Sequence, residues 1–207
     1  MLNLSHKYLS FVFIFFLLVG AIGMTTNFNT YFEGLSFYNL LLTFVLLMMS
    51  VNFNQKFIKV LAILFFIGFI AEVIGVHTNI LFGDYNYDKN LGPKIFEVPL
   101  MIGVNWAVLS FGAWSIVKDI KFKNIFKFSI AALIMVLFDI VMEPVAIELD
   151  FWKWNLNQIP ILNYITWFII SFLQMIVISQ SKIQNFGISK LIFFGQLIFF
   201  SWLLIWI

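Results

Sequence analysis

Long apolar segments alternate along the whole chain with short stretches that carry most of the polar residues. A run of about 18–20 apolar residues is long enough for a helix to cross the hydrocarbon core of a bilayer. A backbone inside that core must satisfy its own hydrogen bonds, so each run is expected to be helical. We predict an all-α, polytopic helical membrane bundle, with a single domain over residues 1–207 and about seven transmembrane helices. The predicted spans are 8–24, 35–51, 58–76, 96–117, 125–142, 159–178 and 189–207.

The lysines predict the orientation of these helices, because cytoplasmic loops carry an excess of basic residues. An N-in, C-out arrangement places nine of the twelve on the cytoplasmic side. The three on the other side are Lys89, Lys94 and Lys153. A cleaved signal peptide is the alternative for the first segment, since Lys7 precedes its apolar run. We expect a retained span, because the lysine distribution agrees with it.

The composition excludes several chemistries. The chain is 62% hydrophobic and 11% charged, and it has no cysteine, so disulfides and thiolate metal sites are excluded. Two histidines are too few for a histidine-rich oxygenase. All basic residues are lysines, and most are predicted to face the cytoplasm, which argues against a magnesium-diphosphate site. We expect no metal, no cofactor and no nucleic-acid partner.

The acidic residues are distributed in the opposite way to the lysines. Nine of the ten lie on or near the predicted non-cytoplasmic side, and Asp119 lies on the predicted cytoplasmic side. This distribution predicts one acidic, aromatic-lined compartment at the outer end of the bundle. Its predicted members are Glu33, Glu72, Asp84, Asp88, Glu97, Asp139, Glu143, Glu148 and Asp150.

Asp139 and Glu143 lie four residues apart, so they share one helical face. Two carboxylates close together in a low dielectric oppose each other's charge, so at least one should retain its proton. A carboxylic acid that is protonated near neutral pH is what an acid catalyst requires. The alternative places both acids at the solvated interface, with Pro144 ending the helix at Glu143.

Glu72 is a third embedded acid, and its apolar neighbours predict that it faces the bundle interior. It is either functional or a structural carboxyl bonded across a helix interface. His77 follows five residues later, off the helical face of Glu72 unless the chain turns at Gly75. An interface role is the alternative for this histidine.

Aromatic residues accompany both acidic stretches, in the sequences Tyr85-Asn-Tyr87 and Trp152-Lys-Trp154. They either form an interfacial aromatic belt or line a site for a cation. The helix pairs that contain them also show a loose parallel, which is compatible with an internal duplication of a helical hairpin. In both pairs an acid is followed by two aromatic residues, a proline and a tryptophan.

Three stretches resemble the bacterial and archaeal membrane carotenoid 1,2-hydratases, of the bisanhydrobacterioruberin or γ-carotene hydratase type, within the carotenoid biosynthesis protein family. They are EVIGVHTNILFGDYNYDKNLGPKIFEVPL (72–100), DIVMEPVAIELDFWKW (139–154) and IPILNYITW (159–167). The chain departs from the relatives' frequent Thr-Gly with Thr78-Asn79, and from their Asp-Pro with Glu143-Pro144. The second change keeps the carboxyl.

The resemblance implies cofactor-independent addition of water across the terminal C1=C2 bond of an acyclic carotenoid ψ-end group. The Asp139/Glu143 pair would donate the proton, and Glu72 or Asp84 would position water. The residues expected to line the substrate and its cation are His77, Tyr85, Tyr87, Trp106, Trp152, Trp154, Asn163 and Trp167.

The resemblance also implies a place in the cytoplasmic membrane of a bacterium. There the expected partners are the lipid-soluble carotenoid, membrane lipid and other enzymes of the pathway. Two other functions remain open. A carotenoid cyclase would also protonate an end group, but the chain's own alkene would capture the cation. A non-catalytic protein would bind a carotenoid or scaffold other enzymes.

Overall fold

A computed structural model describes residues 4–155 and 158–206 of the chain. Within them the chain forms eight helices joined by short connections and four short strands. The helices are α1 (Leu4–Met24), α2 (Asn29–Glu33), α3 (Ser36–Ser50), α4 (Gln55–Thr78), α5 (Leu100–Val117), α6 (Asn124–Glu148), α7 (Ile161–Ser181) and α8 (Ser189–Trp206). The strands are β1 (Tyr85–Tyr87), β2 (Lys94–Ile95), β3 (Val98–Pro99) and β4 (Trp152–Trp154).

The all-α membrane bundle is confirmed, and the chain is a multi-pass membrane protein. Six helices of the described residues are long and apolar enough to cross a bilayer. The remaining predicted span, 35–51, corresponds to the 15-residue helix α3. It extends over only about 22 Å at 1.5 Å per residue, against a hydrocarbon core of about 30 Å. After it, Asn52 and Phe53 adopt left-handed backbone conformations, and the Asn54 side chain then caps α4.

Polar side chains inside the bundle join its helices, while the lipid-facing surface is apolar, with exposed residues such as Leu137 and Ile198. Gln174 of α7 is fully buried and makes two hydrogen bonds to neighbouring helices. It accepts a bond of 2.5 Å from the Ser110 hydroxyl and donates one of 2.9 Å to the Leu64 carbonyl. Hydrogen bonds of this kind stabilise the association of membrane helices, because the hydrophobic effect does not drive helices together in lipid.

The lysine-bearing connections meet at one end of the bundle. The ring of His6 bonds the Ser50 carbonyl over 2.8 Å, and the Ile188 amide donates to the Ser50 hydroxyl over 3.1 Å. The Lys118 ammonium lies 5.7 Å from the centre of the Phe186 ring. The grouping of these connections fits the predicted topology, and their cytoplasmic location stays a prediction.

Several predicted helix boundaries were wrong. Helix α6 continues through Pro144 to Glu148, so Glu143 does not lie at a helix end. Proline is tolerated inside a membrane helix when neighbouring groups compensate for the missing hydrogen bond. Helix α4 continues past Gly75 to Thr78, and α5 begins at Leu100, four residues later than residue 96, because a short hairpin precedes it.

An antiparallel pair of strands, which the sequence did not predict, joins the two acidic stretches. Strand β1 pairs with β4 so that Asn86 lies opposite Lys153. Backbone bonds extend the pairing on both sides, from the Asp88 amide to the Phe151 carbonyl at 2.9 Å and from Asn155 to Asp84 at 3.0 Å. The aromatic residues of both strands point to the bundle, since side chains alternate along a strand.

The helix pairs α4–α5 and α6–α7 each carry a tryptophan at a corresponding place in their second helix. Trp106 and Trp167 occupy the same position in α5 and α7, each seven residues after the proline that precedes its helix. Their rings stack on each other with centres 4.1 Å apart. The internal duplication itself stays a prediction.

A buried cavity with carboxyl and aromatic walls

A cavity lies beside the β1–β4 pair and reaches into the bundle. All helices except α2 contribute to its wall, and apolar side chains make up most of it. The acidic residues that line it are Glu72, Asp139 and Glu143, all nearly inaccessible.

Three side-chain N–H groups donate hydrogen bonds to the Glu143 carboxyl. The indole N–H groups of Trp152 and Trp154 each donate to its Oε2 over 3.0 Å. The Asn163 amide donates to Oε1 over 3.2 Å. The pairing of β4 with β1 fixes the two indoles in this position, four to six residues beyond the end of α6. Hydrogen bonds to an ionised carboxylate are stronger than bonds between neutral groups.

Asp139 lies one helical turn before Glu143 and has fewer partners. Its Oδ2 accepts a bond of 2.7 Å from the same Asn163 amide nitrogen, which therefore bridges both carboxyl groups. Its Oδ1 is fully buried and has no hydrogen-bond partner among the described residues. Asp139 is thus the acid in the cavity that combines complete burial with a free oxygen.

Glu72 has a complete set of donors, like Glu143. The Trp106 indole donates to Oε1 over 2.8 Å, and the Tyr87 phenol donates to Oε2 over 2.8 Å. Tyr85 makes a further short bond to the same Oε2. Burial, followed by the charge of the Glu72 carboxylate, raises the pKa of both phenols well above their usual 10.0, so they stay protonated as donors.

Helices α4 and α5 form the first half of the site and α6 and α7 the second, and the two halves differ at one position. Four residues before Glu143 stands Asp139, whereas four residues before Glu72 stands Gly68. A Cβ atom on Gly68 would lie 2.5 Å from the Trp106 ring, so the first half has no space there for a second side chain. The paired carboxyls are therefore a property of the second half.

Ten of the twelve residues predicted for the site line this cavity. They are Glu72, Tyr85, Tyr87, Trp106, Asp139, Glu143, Trp152, Trp154, Asn163 and Trp167. The other two lie away from it, because their side chains point outward. Asp84 is exposed and accepts a bond of 2.6 Å from Asn155, and His77 is exposed near the end of α4.

The predicted acidic compartment is smaller than the sequence indicated. Asp88 and Asp150 belong to an exterior ion-pair cluster, in which each lies 2.9 Å from the Lys153 ammonium. The bond to Lys153 lowers the pKa of Asp88, and the two acids, Asp150 first, raise the pKa of Lys153. Glu97 and Glu148 are also exposed.

Sequence reasoning missed the contribution of the outer helices. Ser36, Asn39 and Thr43 of α3 and Gln196 of α8 line the cavity, together with Phe199. A signal for one of them was present, because Gln196 is a polar residue in the middle of the apolar segment LIFFGQLIFF. The polar residues near the start of α3 gave no such signal.

The fold defines a multi-pass helical membrane protein, and its cavity combines three buried acids with largely apolar walls. The family model described as "carotenoid biosynthesis protein" matches residues 34–204, which is more than half of the chain. The chain therefore belongs to the carotenoid biosynthesis protein family. A comparison with curated proteins and one with solved structures each found no match.

Proposed function

We propose that this chain is a carotenoid 1,2-hydratase, which adds water to the terminal C1=C2 bond of an acyclic ψ-end group. Membership of the family supports a role in carotenoid biosynthesis. The observation that carries the specific reaction is Asp139, a fully buried carboxyl whose free Oδ1 lies at an apolar and aromatic cavity. Lycopene, γ-carotene and longer acyclic carotenoids carry the required end group.

Asp139 is the proton donor in this mechanism. Glu72 and Glu143 each accept three hydrogen bonds, which stabilise an ionised carboxylate. Asp139 accepts one, from Asn163, and its Oδ1 has no hydrogen-bond partner among the described residues, so a proton there is free for the substrate. That proton is transferred to C2 of the end group, and the C1=C2 electron pair forms the new C2–H bond.

The tertiary cation at C1 is stabilised by its surroundings. The Glu72 and Glu143 carboxylates supply negative charge, and the rings of Tyr85, Trp154 and Trp167 line the same cavity. Fixed charges and ring faces stabilise a cation strongly where water is excluded. Water then adds to C1 and loses one proton to the Asp139 carboxylate, which restores the acid without a cofactor.

The test is expression in a bacterium that accumulates lycopene, followed by chromatography and mass spectrometry of the pigments. We expect a more polar pigment, heavier by one water, with an unchanged chromophore. Asp139→Asn should lower its yield at least about 100-fold at equal protein level. Asp119→Asn is the matched control, since Asp119 is exposed at the lysine-bearing end.

Other outcomes identify the alternatives. An isomeric pigment that absorbs at shorter wavelength would indicate cyclisation instead of hydration. Unchanged pigments, with the chain demonstrably in the membrane and lycopene, γ-carotene and longer acyclic carotenoids each supplied, would reject the hydratase and favour a carotenoid-binding protein.

A further inference from the structure

Besides the Asp139 oxygen that serves the proton transfer, the cavity holds other buried polar atoms without a partner among the described residues. Four buried side-chain atoms of the described residues have no hydrogen-bond partner. Three of them line this cavity, namely Ser36 Oγ, Asp139 Oδ1 and Gln196 Oε1. They come from α3, α6 and α8, and each residue is at most 5% exposed.

These unpartnered atoms are not a general feature of the bundle. Gln174 is equally buried, but both ends of its amide are bonded within the chain, to Ser110 and Leu64. A buried polar group without a partner costs free energy, so such groups are usually paired. Three of them at one cavity indicate a small polar ligand among largely apolar walls.

We propose that Ser36 and Gln196 bind the water molecule that adds to the substrate, beside the free oxygen of Asp139. The inference rests on the proposed hydratase function and assigns the site of its second substrate. A bound water needs two to four polar partners, and these three oxygens supply them. A hydrocarbon end group offers no hydrogen bond to any of them.

The chemistry of the two side chains suits a nucleophilic water. Gln196 Oε1 accepts one O–H bond of the water and the Ser36 hydroxyl donates to its oxygen, which leaves the second O–H bond for the Asp139 carboxylate and one lone pair free. The lone pair forms the bond to the C1 cation, one O–H bond breaks, and that proton passes to the Asp139 carboxylate. Ser36 and Gln196 are positioning residues, because they orient water and do not exchange a proton with the carotenoid.

The test separates water capture from protonation. Membranes that contain the chain are incubated with lycopene in D₂O, and both the hydrate and the recovered lycopene are analysed by mass spectrometry. The wild-type chain should form a hydrate that carries deuterium at C2. Gln196→Met and Ser36→Ala are made singly and as a double variant. In each, the cation should form without an oriented water and return to lycopene by losing a proton. The hydrate should then fall about 100-fold in the double variant, while recovered lycopene gains deuterium.

Two comparisons make the result specific. Asp139→Asn should lose hydrate and deuterium exchange together. Gln174→Met, which breaks a structural hydrogen-bond pair, should lower the amount of folded protein but leave the ratio of hydrate to exchanged lycopene unchanged. Wild-type hydrate levels in the Ser36 and Gln196 variants, or a parallel loss of hydrate and exchange, would overturn the inference. A wild-type chain that forms no hydrate would instead overturn the proposed function.

Discussion

The indole and phenol side chains line the cavity with their rings and bind its acids with their polar edges. The sequence predicted ring faces for a cation, and rings do line the cavity. Their polar edges also bind the carboxylates, since Trp152 and Trp154 donate to Glu143 while Tyr85 and Tyr87 donate to Glu72. Tyrosine and tryptophan combine a large apolar surface with one donor, so they can solvate a carboxylate without admitting water.

The raised pKa values of Tyr85 and Tyr87 predict a loss of stability in alkali. A group whose pKa is higher in the folded state stabilises the fold below its unfolded pKa, here near 10.0. That contribution is lost as pH rises from there through the folded pKa. We therefore expect the unfolding midpoint in detergent to fall more between pH 8 and about pH 11 in the wild type than in a Tyr85→Phe/Tyr87→Phe variant.

The double variant is the control, because it lacks only the two phenolic groups and retains the rings. It should be less stable than the wild type near pH 8, since Glu72 loses two donors. Equal falls of the two midpoints with pH would contradict the link between these phenols and the stability.

At the scale of elements, the β1–β4 pair determines where four aromatic donors lie. Side chains on one face of the pair reach the cavity, and Asn86 and Lys153 on the other face are exposed. The flanking backbone bonds at Asp88–Phe151 and Asp84–Asn155 place the Asn86–Lys153 pair at a hydrogen-bonded position, because such pairs alternate along an antiparallel ladder.

Lys153→Pro should therefore disrupt the site from outside it. Proline has no N–H to donate to Asn86, and a ladder position in a strand does not tolerate it. We expect Trp152 and Trp154 to move away from Glu143. The product yield at equal protein level should then fall at least about tenfold. Tryptophan fluorescence should shift to longer wavelength as buried indoles meet water.

Lys153→Ala is the matched variant, since it removes the ion pairs with Asp88 and Asp150 but keeps the backbone donor. Exposed ion pairs contribute little to stability, so this variant should behave like the wild type. A loss of product in Lys153→Ala equal to that in Lys153→Pro would show that charge, and not the strand, matters.

On the scale of the whole molecule, polar features separate to opposite ends of the bundle. The lysine-bearing connections meet at one end, and the acids and the cavity lie toward the other. The bias of lysine toward cytoplasmic loops predicts that the cavity opens away from the cytoplasm. The carotenoid would then reach it from the outer half of the membrane.

The absence of native cysteine makes this orientation directly testable. Glu97→Cys and Lys121→Cys each introduce one exposed thiol, at the two opposite ends. In intact cells a membrane-impermeant maleimide should label Glu97→Cys, and it should label Lys121→Cys only after the membrane is permeabilised. The reverse pattern would place the cavity on the cytoplasmic side.

The sequence by itself determined the class of fold and which acids lie buried at the cavity. Apolar runs longer than the bilayer core require helices, and an acid inside such a run must face the interior, which identified Glu72, Asp139 and Glu143. Residues beyond the apolar runs carry no such signal, so Asp84 and His77 were predicted for the site although both side chains are exposed, Asp84 in the α4–β1 connection and His77 in the last turn of α4.

Only the tertiary structure decided which donors meet which acid. The β1–β4 pairing joins stretches more than sixty residues apart, and the placement of Trp152 beside Glu143 depends on it. The free oxygen of Asp139 and its grouping with Ser36 and Gln196 also depend on contacts between helices distant in sequence. Periodicity describes one element at a time, whereas hydrogen-bond satisfaction is a property of the packed molecule.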